Sequence, residues 1–141
     1  MSHSYHVNHE FASIKAASQK SIVVNLTGAT TLTTGQSGTH FFVSSTAATA
    51  VTLPAATAGV NFRITVGATA ASHSIVAPSA ILHGTIIGAA STGGGLMSPA
   101  ASTSLTTTAG SAIGDTVSLT SNGARWFVSG NARNFNAFVV A

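Results

Sequence analysis

From Ser21 onward the chain seldom runs more than a few residues before Gly, Pro, Asn or a Ser/Thr cluster interrupts it. Between the interruptions, apolar and polar residues alternate with a period of two: Ile22, Val24 and Leu26; Val51 and Leu53; Phe62, Ile64 and Val66. That period is the mark of strands with one face buried. Turn signals recurring roughly every 6 to 12 residues fit many short strands. About ten strands are expected, forming an all-β compact antiparallel β-sandwich or small β-barrel. No exact repeat of roughly 20 to 50 residues is visible, which argues against a solenoid. No run approaches the ~18 apolar residues of a membrane-spanning helix.

Particular segments sharpen this outline. His40-Phe41-Phe42-Val43 is apolar enough for a buried strand, and Val51-Thr52-Leu53 stops at Pro54, which cannot donate to a ladder. Asn61, Arg63 and Thr65 fall on the face opposite Phe62, Ile64 and Val66. Ala80-Ile81-Leu82 and Thr85-Ile86-Ile87 read as separate short runs around Gly84. Thr92-Gly93-Gly94-Gly95 opens a loop expected to reach Thr103, because consecutive glycines are entropically costly inside an element. Asn122-Gly123 predicts a two-residue type I′ hairpin pairing Ser121 with Ala124, Leu119 with Trp126 and Val117 with Val128. Val117, Leu119, Trp126 and Val128 then share one face.

Residues 1–20 differ from this pattern and predict an N-terminal arm, with 21–141 forming a single β-domain. The arm has no strand alternation, and Asn8 could cap a short helix over Glu10 to Ala17. At the other end Phe138, Val139 and Val140 are too apolar to dangle in water. They predict a strand or a contact with a sister protomer.

The chain holds five Lys or Arg and two Asp or Glu in 141 residues, 5% charged, against about 25% in an average soluble domain. Such a surface has few of the usual defences against self-association. The composition therefore predicts a building block that works docked to copies of itself and to a larger assembly. Zero cysteines exclude disulfides and thiolate metal sites. Met1 to His6 lack the basic-then-apolar order of a secretory signal, so synthesis in a cytoplasm is expected. Lys15, Lys20, Arg63, Arg125 and Arg133 are scattered, so neither nucleic acid nor a membrane is an expected partner.

Catalytic patterns are lacking. Glu10 and Asp115 are the only acids, too few for paired-carboxylate chemistry outside one shared site. Asp115 follows Gly114 just before a strand, where Asp hydrogen-bonds nearby backbone. No Gly-x-Ser-x-Gly elbow, phosphate loop or dinucleotide fingerprint occurs. The chain is thus read as a non-enzyme with no cofactor and no small-molecule substrate. His3, His6 and His9 recur every third residue and could meet a metal if several arms converged, but they read first as part of a polar, flexible arm. His40, His73 and His83 read as structural, and Trp126 as core.

Three segments resemble a known group. Leu32 to Val43, LTTGQSGTHFFV, resembles the "LTxxQSGTxFFL" opening of small tailed-bacteriophage structural proteins. Val51 to Val66, VTLPAATAGVNFRITV, resembles their "VTLPxxxxGxxFxFxV" segment, and Gly114 to Val128 is similar to their "GDxVxLxSxGxxWxV" hairpin. Small stand-alone chains of that group look like head decoration, or capsid cement, proteins. The resemblance implies a homotrimer on the capsid exterior, bound between major capsid protein subunits and stabilising the shell of the virion. Tyr5, Phe11, Ile14 and Lys15 of the arm would then touch the capsid, and Phe138, Val139 and Val140 sister protomers. The alternative is a receptor- or glycan-binding domain of a phage tail or head fibre, with Trp126 and exposed loops as the reader.

Overall fold

A computed structural model describes residues 21–68, 72–89, 95–97 and 100–141. The expected helix over Glu10 to Ala17 lies outside them. The described chain forms twelve strands: β1 (Ile22–Leu26), β2 (Thr30–Thr31), β3 (Thr39–Val43), β4 (Ala50–Thr52), β5 (Asn61–Val66), β6 (Ser74–Val76), β7 (Leu82–Gly88), β8 (Gly95–Met97), β9 (Ser104–Thr107), β10 (Thr116–Ser121), β11 (Trp126–Ala132) and β12 (Phe138–Val140). They build a seven-stranded sheet, ordered β1-β3-β5-β10-β11-β7-β8, and a five-stranded sheet, ordered β12-β9-β6-β4-β2. The fold is an all-β sandwich.

The first half is not antiparallel. Odd-numbered strands up to β5 enter the larger sheet and even-numbered strands up to β6 the smaller. Each strand stacks parallel on the one two places earlier. The chain therefore winds in coils, as a short solenoid does, which corrects the expectation drawn from the missing repeat. The coils conceal their period because they differ in length. Seventeen residues separate Ile22 from its partner Thr39, while 24 separate Ala50 from Ser74. What does recur is a corner: Leu32, Leu53 and Ala77 follow β2, β4 and β6, and all three are buried. Leu32 N–H donates to Thr52 O and Leu53 N–H to Val76 O, both at 2.8 Å. Stacking identical corners satisfies backbone groups while burying one apolar side chain per coil.

The second half closes the sheets. β10 pairs antiparallel with β5 and β11, and β7 lies parallel to β11. The observed hairpin register sets Ser121 against Trp126, Leu119 against Val128 and Val117 against Gly130. This is two residues from the expected pairing. A type I′ turn needs positive φ at both central residues, but of Asn122 and Gly123 only Gly123, at 96°, has it. Instead Asn122 Oδ1 accepts the N–H groups of Ala124 and Arg125 at 3.0 and 2.9 Å, holding a four-residue loop. A shift of two preserves side-chain parity, so Val117, Leu119, Trp126 and Val128 do share the buried face.

Two further expectations change. Part of the glycine-rich loop, Gly95–Met97, is β8, which supplies backbone partners to the outer edge of β7; residues 90–94 and 98–99 lie outside the described set. The runs around Gly84 merge into one strand, because Gly84 adopts φ +148°. A Cβ there would sit 1.8 Å from Val128 O. Gly84→Ala combines left-hand strain with a backbone clash, costing about 2 kcal/mol or more. Thermal denaturation should show a melting temperature lower by roughly 6 °C or more for a chain of this size. An unchanged melting temperature would mean that β7 does not follow this path.

Candidate functional site

The inner rows of the larger sheet hold the core, with Phe41, Ile64 and Val117 in one and Phe62, Leu119 and Val128 in the next. The outer rows between them are polar. One runs Val23, His40, Arg63, Ser118, Ser129 and Thr85 across six strands. Two grooves of about 350 and 380 Å³ meet at Arg63 and Ser118. Exposed Ile87 lines the second groove, and exposed Phe127 lies on the same face.

The charge on this face is one-sided. Arg63, Arg125 and Arg133 are exposed, while Asp115, the only acid among the described residues, is buried. Its Oδ2 accepts Ala112 N–H and its Oδ1 accepts Arg133 N–H, each at 2.8 Å. The first is the turn-type bond expected from Gly114-Asp115; the second ties that turn to the end of β11. With both oxygens so used, Arg63 has no carboxylate partner among the described residues.

Beside Arg63 a chain of hydroxyls fixes a tautomer. Thr116 Oγ1 donates to Gly114 O at 2.9 Å, since a carbonyl can only accept. Thr65 must therefore donate to Thr116 across 2.8 Å, and His40 Nε2–H donates to Thr65 across 2.7 Å. The ring also stacks on Phe42 with centroids 4.3 Å apart. Desolvation first, and the Arg63 charge second, hold the His40 imidazole below its ordinary pKa of 6.5.

The remaining residues singled out above divide plainly. Trp126 is fully buried, stacked on Phe62 with centroids 5.6 Å apart, and its indole N–H donates to Pro54 O at 3.2 Å. It belongs to the core and cannot stack on an external sugar. Phe138, Val139 and Val140 form β12, antiparallel to β9. Phe138 is buried in its own sandwich, Val140 packs partly against that core, and Val139 is exposed. His73 is buried and its Nε2 donates to Ala68 O at 3.2 Å. Its Nδ1 has no hydrogen-bond partner among the described residues. The ring lines a narrow internal void of about 20 Å³ with Asp115. Tyr5, Phe11, Ile14 and Lys15, like His3, His6 and His9, lie outside the described residues.

Among the described residues no three His, Cys, Asp or Glu gather as a metal site, and no helix is long and apolar enough to cross a membrane. Alternation around Phe62 already placed Arg63 on an outer face; its grouping with His40 and Ser118 depends on strand pairing. No family model matches the chain, nor does any curated protein or solved structure.

The His40 arrangement carries a sign. A histidine whose folded-state pKa is lowered contributes stability fully present above 6.5 and lost as pH falls toward the folded value. An NMR titration of His40 should give a midpoint below 6.5. Arg63→Gln should raise that midpoint without restoring the ordinary value, since desolvation is the larger cause. A midpoint at or above 6.5 would contradict the arrangement.

Proposed function

We propose that this chain is a decoration protein of a tailed-bacteriophage head, a trimer seated on the capsid exterior between major capsid protein subunits. It acts by binding rather than by chemistry. The observation carrying this proposal is the coincidence of sparse charge with an outer face whose exposed Arg63 has no carboxylate partner among the described residues. A face of Arg63, hydroxyl-bearing residues and isolated apolar side chains suits a wide protein contact better than a small-molecule cleft.

The phage-like segments support the same proposal. Leu32 to Val43, Val51 to Val66 and Gly114 to Val128 contain β3, β5, β10 and β11, four neighbouring strands of the larger sheet. Exposed Val139 on the edge strand β12 offers an apolar contact to sister protomers. The arm residues Tyr5, Phe11, Ile14 and Lys15 are proposed to touch the shell. For the fibre alternative Trp126 cannot serve as the reader, because it is 0% exposed, which leaves that reading its exposed loops.

A ligand that binds only the assembled shell stabilises it by RT ln(1 + [L]/Kd), about 2.7 kcal/mol per site at a hundredfold excess over Kd. Light scattering at micromolar concentration should return three times the 13.9 kDa chain mass. Titrated onto expanded empty phage heads, the protein should bind saturably and raise their melting temperature. Arg63→Glu should weaken that binding roughly tenfold or more without changing the trimer's own melting temperature by more than a few degrees. A monomer that leaves shell melting unchanged would refute the proposal.

A further inference from the structure

Among the described residues, nothing covers one end of the sandwich. β1 is the outermost strand of the larger sheet and β2 the outermost of the smaller, and both belong to the first coil. No described segment stacks on that coil. A solenoid end needs a cap with a polar outer side, because each coil otherwise buries its apolar surface only against its neighbours.

This end also lacks the usual protection of a free edge. Residues 21–33 contain no charged residue and no proline. Ile22 is 63% and Val23 52% exposed. The backbone polarity is set by Ser44 N–H, which donates to Leu26 O at 2.8 Å while Leu26 lies opposite Val43. In a parallel ladder this turns the polar groups of Leu26, Val24 and Ile22 toward β3. Those of Val23 and Asn25 point to the free edge.

We propose that residues 1–20 of the same chain cover this end as its cap. They join the sandwich at Ser21, where the uncovered coil starts. Their length is that of one coil, since coil spacings here run from 17 residues (Ile22 to Thr39) to 24 (Ala50 to Ser74). Their composition is that of a cap. Both Lys, one of the two acids and three of the six His fall in these 20 residues, while Tyr5, Val7, Phe11 and Ile14 supply apolar groups to set against Ile22 and Val23. The inference concerns the free protein: there Tyr5, Phe11 and Ile14 cover the coil end, and seating on a shell would exchange that contact for one with the capsid.

Amide hydrogen exchange of the free full-length protein, followed by NMR, tests it without any shell present. The Val23 and Asn25 amides should exchange at least tenfold more slowly than in an unstructured peptide, and equally so after tenfold dilution. In full-length Phe11→Asp/Ile14→Asp, or in Tyr5→Asp/Val7→Asp, their exchange should accelerate about tenfold while Leu119 in β10 stays protected. Unstructured-peptide rates in the unmodified protein would show a bare edge and overturn the proposal. Protection that falls on dilution would assign the edge to a second copy, and protection unchanged in both double variants would exclude residues 1–20; either overturns it. Unstructured-peptide rates or dilution-sensitive protection in the unmodified protein overturn the proposal even if one double variant fails to fold, and the other double variant then separates the cap from a tightly bound second copy.

Discussion

The stacked pair of Phe62 and Trp126 joins two differently built halves of the molecule. Phe62 comes from β5, the last coil strand of the larger sheet, and Trp126 opens β11 in the antiparallel half. The indole N–H reaches back to Pro54 O, just past the coil corner at Leu53. One side chain thus closes the core by area and satisfies its single donor on the opposite half. The β10–β5 ladder joins the two halves through their backbones, and the stacked pair fills the core behind that junction. The same packing explains why Trp126 is unavailable for recognition.

With the interior committed in this way, function falls to the outer surface. The alternation that buries Phe62 and Ile64 turns Arg63 outward, and strand pairing brings His40 and Ser118 beside it. Asp115 is spent on two backbone N–H groups, so among the described residues Arg63 has no carboxylate partner. Among the described residues the three cations, Arg63, Arg125 and Arg133, are all exposed, where a partner can meet them. Apolar residues at the strand edges are the complementary part of the same design, under the proposal that the protein works only in assembly.

What was legible in the sequence follows the range of the signal. Alternation is local, so the buried faces of β5, β10 and β11 could be assigned before any pairing was known. The hairpin loop depended on the backbone conformation of Asn122, which the Asn-Gly pair alone does not determine. The coils were hidden because stacking needs matched corners, not matched lengths; the only recurring trace is Thr31-Leu32, Thr52-Leu53 and Val76-Ala77. The strand Gly95–Met97 was masked by its glycine neighbours, since an edge in need of backbone partners outweighed local propensity. The face around Arg63 unites residues 23 and 55 positions away, His40 and Ser118, which no local pattern can join.

The central claim, that this protein is a component of an assembled shell, is tested most directly by electron cryomicroscopy of phage heads saturated with it. The account predicts added density on the outer surface, in groups of three sandwiches lying between major capsid subunits. Heads bare of added density, or density confined to the tail, would contradict it.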